Sequence, residues 1–193
     1  VIDTIVFHIM NYNREDKGID EKDRKPIILY INSPGGSVYS GYALISTMQC
    51  SKTPIYTVNQ GMCASMAFLI FLAGSKRFSM CNSTFLMHDG SNGIGFESAS
   101  KLRDRIEYET GQLEQHTKQF VLSRTSIDDK FYDDKYRVEW YMLPHEAKEH
   151  SICDYMRRLR FRRNYLRRVT TTLLFLYGNL IDKRRKEKWQ NLN

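Results

Sequence analysis

Ser65 sits in the small, apolar setting Gly61-Met62-Cys63-Ala64-Ser65-Met66-Ala67, and 29 positions before it the chain carries Asn32-Ser33-Pro34-Gly35-Gly36. A serine hydroxyl becomes a nucleophile when a base takes its proton and N–H donors stabilise the oxyanion that follows. Paired glycines suit the second task, because they tolerate positive φ and leave no side chain in the way of a ligand. Ser65 also precedes an apolar run expected to be a helix. Its hydroxyl would then lie at a helix N-terminus, where partial positive charge favours a developing anion. Serine in that position is equally an ordinary helix cap, and the local sequence alone favours the cap. His88 tips the balance. It ends the apolar segment 85–87, and an imidazole titrating near neutrality suits proton transfer from a serine. His8, His116, His145 and His150 lie in amphipathic or polar contexts without a partner motif.

These residues must be positioned by strands and helices. Ile2, Ile5, Val6 and Ile9 fall at i, i+3, i+4 and i+7, so the chain is expected to open on an amphipathic helix. Residues 13–25 form a charged connection, and 27–31 read as a buried strand leading into the glycine turn. A short helix around 42–48, a strand at 54–58, a buried helix at 66–72 and short strands at 77–80 and 84–87 follow. This alternation predicts β-α-β crossovers and an α/β core. Residues 97–122 predict one long charged helix with Leu102, Ile106, Leu113 and Phe120 on a narrow stripe, interrupted by Gly111. So narrow a stripe on so long a helix predicts that it projects from the core or meets another subunit. A last short helix is expected near Pro144.

With 193 residues and 41% hydrophobic content, the chain is one domain with or without an appendage. Cys50, Cys63, Cys81 and Cys153 have neither C-x-x-C spacing nor a histidine at finger-like distance, so reduced thiols in a cytoplasmic compartment are expected. Val1-Ile2-Asp3-Thr4 has no basic segment followed by an apolar core, and no apolar run reaches about 18 residues, so neither a leader nor a membrane span is expected. The net charge of +7 belongs to one end. Residues 151–193 hold 12 Lys/Arg against 3 Asp/Glu, while the other 150 residues hold 17 against 19. The basic stretch reads as a solvated helix or extension, with contact to nucleic acid or an anionic membrane as the alternative.

Three ordered segments, NSPGGSV (32–38), GMCASMAF (61–68) and TFLMHD (84–89), resemble the ClpP family of caseinolytic serine peptidases. The resemblance covers about residues 2–155. It implies an α/β fold of ClpP/crotonase type, a compact head with a projecting helical handle. By the same resemblance Ser65 is the nucleophile and His88 the base. The backbone N–H groups of Gly36 and Met66 hold the oxyanion, and Gly93, Ile94 and Gly95 pair with substrate backbone as an added strand. The implied activity is peptide-bond hydrolysis through an acyl-enzyme, with no metal or bound cofactor. Implied partners are an AAA+ unfoldase ATPase, unfolded protein substrates and further copies in heptameric rings stacked in pairs; nucleic acid and membrane are not expected.

The chain departs from the family in three places. The family aspartate lies 11 residues before the Glu of the Glu-Ala pair, here Glu146, and that count lands on Lys135. A one-residue slip would bring Asp134 to the histidine instead. Domain 1–155 is expected to lack the axial-loop segment that precedes the first helix in the family, and 156–193 does not match it. Two other functions stay open: a catalytically silent subunit with a structural role in mixed rings, and a crotonase-like acyl-CoA enzyme on the shared fold.

Overall fold

The computed structural model describes residues 1–90 and 98–157, together with the backbone of 169–170. Helix α1 (Ile2–Glu15) buries Ile2, Ile5 and Ile9, the stripe predicted from their spacing. Strand β1 (Ile27–Ser33) runs into the glycine turn, and α2 (Val38–Cys50) starts at Ser37, whose hydroxyl accepts from the Ser40 N–H at 3.4 Å. Strand β2 (Ile55–Ala64), α3 (Met66–Leu72), β3 (Lys76–Met80) and β4 (Thr84–Met87) complete the first half.

The sheet forks at β2. Residues 56–59 of β2 pair in parallel with β3, whereas Met62, Cys63 and Ala64 pair in parallel with β4. On its other side β2 pairs in parallel with β1, and the register shifts between Ile31 and Ser33. Asn32 occupies that irregularity, its Oδ1 accepting from the Met62 N–H at 3.1 Å. A Cβ on Gly61 would stand 2.7 Å from the same oxygen, so only glycine leaves the space. Extending β2 beyond the predicted 54–58 thus depends on pairing with β4, which carries His88 at its end.

The second half supplies the handle and closes the core. The predicted single helix is α4 (Ala99–Tyr108), a π-helical turn (Glu109–Leu113) and α5 (Glu114–Arg124). Gly111 lies in the π turn, a feature that widens the helix by one residue and recurs at functional sites. Leu102 and Leu113 are half-buried and Ile106 is 46% exposed. Phe120 packs against the core.

Helix α6 (Asp129–Tyr136), capped by Asp128 accepting from the Phe131 N–H at 2.7 Å, was not predicted. Strand β5 (Trp140–Met142) pairs antiparallel with β4, and α7 (Pro144–Glu149) matches the expected last helix. Strand β6 (Tyr155–Arg157) pairs in parallel with β3, and β7 (Val169–Thr170) with β1. Residues 158–168 and 171–193 of the basic stretch lie outside the described residues.

One ion pair locks the halves together. Arg77 donates to both carboxylate oxygens of Asp154 and to the Arg124 carbonyl, and Arg124 in turn donates to the carbonyls of Leu72 and Gly74. The Arg77 side chain is only 11% exposed, so losing either partner would strand a desolvated charge.

Candidate active site

Ser65 has φ 53° and ψ −127°, a conformation that costs a non-glycine residue about 1–3 kcal/mol and persists only where its surroundings enforce it. Those surroundings are visible. The Ser65 N–H donates to the Leu86 carbonyl at 3.0 Å, and its carbonyl accepts from the Phe68 N–H at 2.9 Å. Phe68 and Phe71 pack edge-on against Phe85 at 6.4 and 5.0 Å, fixing α3 to β4. Every residue of α3 is buried. Although Ser65 occupies the N-cap position, its side chain makes no capping hydrogen bond. The hydroxyl is therefore not spent on the helix end.

The glycine turn lies directly against this residue. Gly35 has φ +102° and Gly36 φ +147°. A Cβ on Gly35 would stand 2.7 Å from both the Ala64 carbonyl oxygen and Ser65 Cβ, and 3.0 Å from the Met66 nitrogen. The Ser33 hydroxyl accepts from the Gly35 N–H at 3.1 Å and tightens the turn. Met66 is the first residue of α3, where the N–H has no partner within the helix.

Gly36, Ser65, Met66 and His88 all line one cavity of about 620 Å³ between the head and the handle. These are four of the residues singled out in the sequence. Gly93, Ile94 and Gly95 lie outside the described residues. Asp134 and Lys135 do not line the cavity. The Asp134 carboxylate accepts from Lys130 Nζ at 2.5 Å on the exposed side of α6. Lys135 Nζ lies 5.6 Å above the Phe131 ring and 5.9 Å from that of Trp140, while Asp133 pairs with Lys118 at 2.8 Å. The end of α6 nevertheless reaches the strand of His88: the Asp89 N–H donates to the Tyr136 carbonyl at 2.8 Å.

The Clp protease family profile matches residues 19–158, nearly three-quarters of the chain. The chain belongs to the Clp protease family. It is 36% identical over 141 residues to ATP-dependent Clp protease proteolytic subunit 3 of Streptomyces avermitilis, covering 67% of this chain and 59% of that protein. It is 37% identical over 140 residues to proteolytic subunit 2 of Parasynechococcus marenigrum, covering 69% and 68%. A proteolytic subunit 2 of Treponema pallidum is 34% identical over 122 residues, with 60% and 59% covered. The chain thus spans a little under three-fifths of the Streptomyces protein's length. The mixed sheet, forked at β2, is the ClpP fold.

The far wall of the cavity was not read from the sequence. Glu109, Glu114, Tyr132, Tyr136 and Arg137 line it. Burial raises the Tyr132 hydroxyl, with Tyr136 and the Glu114 charge adding to it. Burial pushes Tyr136 up to about 12, with the charges of Glu114 and Asp89 in support. Both phenols are neutral at physiological pH. The i, i+4 spacing of Tyr132 and Tyr136 was available in the sequence, masked by the aspartates and lysine between them.

Proposed function

We propose that this chain is a serine endopeptidase subunit in which Ser65 is the nucleophile and His88 the base, acting as a dyad. The observation that carries this reading is the strained Ser65, whose side chain makes no capping hydrogen bond, lining one cavity with His88, Gly36 and Met66. Ser65 Oγ attacks the scissile carbonyl carbon while His88 takes the hydroxyl proton. The N–H groups of Gly36 and Met66 receive the oxyanion. His88 then delivers the proton to the departing amine, leaving an ester on Ser65 that water hydrolyses by the same route. Lys130 already neutralises Asp134, so the dyad works without an orienting carboxylate and about 10⁴-fold below a complete triad.

The reading extends to an ATP-dependent machine degrading unfolded proteins in the cytoplasm, with two stacked heptameric rings and an AAA+ unfoldase. The relatives' designation as ATP-dependent proteolytic subunits supports the ATPase. The exposed Ile106 on the handle supports packing against a second copy.

Fluorophosphonate labelling of the assembled protein tests the core of this reading. Covalent modification confined to Ser65, absent in Ser65→Ala, is the expected result. Failure to label in an intact assembly favours a silent structural subunit, a reading that the Lys130–Asp134 pair also supports.

A further inference from the structure

Asn32 begins the segment Asn32-Ser33-Pro34-Gly35-Gly36, and the chemistry proposed for Ser65 and His88 makes no use of its side chain. Its place in the sheet is irregular. Ile31 pairs with Asn59 and Ser33 with Cys63, so two steps along β1 match four along β2. Asn32 alone therefore faces Gln60, Gly61 and Met62. There its Oδ1 accepts from the Met62 N–H at 3.1 Å, a side-chain oxygen standing in for a backbone carbonyl. Such irregularities recur beside active sites, where they re-aim neighbouring residues.

The same stretch is where β2 changes partner. Asn59 is the last of its residues to pair with β3, at Ser79, and Met62 is the first to pair with β4, at Thr84. Beyond that point lie Ser65, whose N–H donates to the Leu86 carbonyl at 3.0 Å, and His88 just past the end of β4. On β1, Asn32 is followed by Ser33, whose hydroxyl accepts from the Gly35 N–H at 3.1 Å, and Gly35 leaves no room for a Cβ against Ser65. One side chain thus stands where the segments bearing the glycine turn, the serine and the histidine diverge.

We propose that Asn32 is a positioning residue for the peptidase reaction. By accepting the Met62 N–H it sets the register of the Ser65 end of β2 against both the glycine turn and β4. The inference rests on the peptidase reading and adds the residue that aligns its parts. The N–H groups of Gly36 and Met66 belong to different segments, so their spacing as a pair of oxyanion donors depends on how β1 and β2 are joined. Asn32 is the side chain that joins them at the register shift. Gly61 completes the contact, since a Cβ there would stand 2.7 Å from Oδ1 and displace the amide.

The test uses the full chain and a fluorogenic peptide. Asn32→Ala should lower kcat about 30-fold and leave KM within about twofold, as misaligned reacting groups do and weakened binding does not. Asn32→Asp, which keeps an oxygen in the acceptor position, should recover about tenfold of that loss. Gly61→Ala reads the contact from the other strand, also where Asn32→Ala fails to fold, and should lower kcat about tenfold with KM unchanged. Hydrogen exchange at the Met62 amide should quicken about fivefold in Asn32→Ala and not in Asn32→Asp. A parental kcat in Asn32→Ala or Gly61→Ala, a loss carried by KM, or an Asn32→Asp variant as slow as Asn32→Ala overturns the proposal. Fluorophosphonate labelling of Ser65 in the parent chain reads the peptidase function separately. Labelling together with a parental kcat in Asn32→Ala removes the role of Asn32 alone, whereas a parent that neither labels nor cleaves removes the peptidase reading and this role with it.

Discussion

Ser65, the proposed nucleophile, and Asp134, the expected acid, occupy opposite kinds of structure. Ser65 is pinned by backbone hydrogen bonds to β4 and α3, by a helix buried along its whole length, and by a glycine turn with no room for a Cβ. Asp134 lies on a helix whose only buried residue is Tyr132, and its carboxylate is 60% exposed and held by a neighbouring lysine. Strain at Ser65 is sustained because many contacts oppose its relaxation. An exposed i, i+4 ion pair is worth at most about 0.5 kcal/mol and defines little. Conformational constraint in this chain is therefore concentrated on the serine side, and α6 holds the Asp134 carboxylate far more loosely.

The sharpest way to break this contrast is Ser65→Ala. Peptide turnover should fall by more than about 10⁴-fold, while the thermal midpoint should not decrease, since the side chain caps nothing and alanine removes only the hydroxyl. Unchanged cleavage of a fluorogenic peptide would place the chemistry elsewhere.

Next in size is Gly35→Ala. The added methyl meets Ala64 O and Ser65 Cβ at 2.7 Å on a backbone with φ +102°, so either the turn or Ser65 must move. A loss of about 2–4 kcal/mol in denaturant stability should accompany a drop in activity of at least about 100-fold. Retention of both would mean that the turn tolerates displacement and that the serine side is less constrained than its contacts imply.

On the handle, Leu102→Glu with Ile106→Glu tests whether assembly uses the exposed stripe. Sedimentation should show loss of the proposed double-ring assembly while the fold, judged by circular dichroism, is kept, because neither residue is buried in the head. Sedimentation identical to the parent would leave the stripe without an assembly role.

Much of the serine side was legible because it depends on patterns of short range. Apolar spacing gave α1, the glycine pair gave the turn, and the run 66–72 gave α3 within a residue. The fork in the sheet was not legible, because Asn59, Gln60 and Gly61 look like a strand end until β4 supplies partners for Met62–Ala64. Helix α6 escaped for a different reason. Its sequence DKFYDDKY has one buried residue in eight and no apolar stripe, so its helix rests on the Asp128 cap and on Tyr132 packing under α5. The Arg77–Asp154 pair spans 77 positions, a separation that no local pattern announces. Glu109 was hidden because a regular helix through Gly111 would place it differently from the π turn that forms.

The smaller catalytic effects lie on α6, where position rather than charge count decides. The backbone bond from Asp89 N–H to Tyr136 O fastens the end of this helix beside His88, one residue from position 135. Lys135→Asp should therefore raise kcat/KM about 10- to 100-fold, by supplying the carboxylate that orients the base and stabilises its cation. No gain would show that the side chain at 135 cannot reach the imidazole from its place over Phe131 and Trp140.

Asp134→Asn is the smallest effect and the most discriminating. Its carboxylate faces Lys130, outside the cavity, so removing the charge should cost at most about 0.5 kcal/mol of stability and less than twofold in kcat/KM. An orienting carboxylate, by contrast, loses about 10⁴ on amidation. The two expectations differ by nearly four orders of magnitude, so a single kinetic measurement on the assembled enzyme separates them. A large loss would mean that Asp134 abandons Lys130 on assembly and turns to His88. In that case Lys130→Ala, which frees the carboxylate in advance, should raise activity rather than leave it unchanged, and the looseness assigned to α6 would belong to the isolated subunit alone.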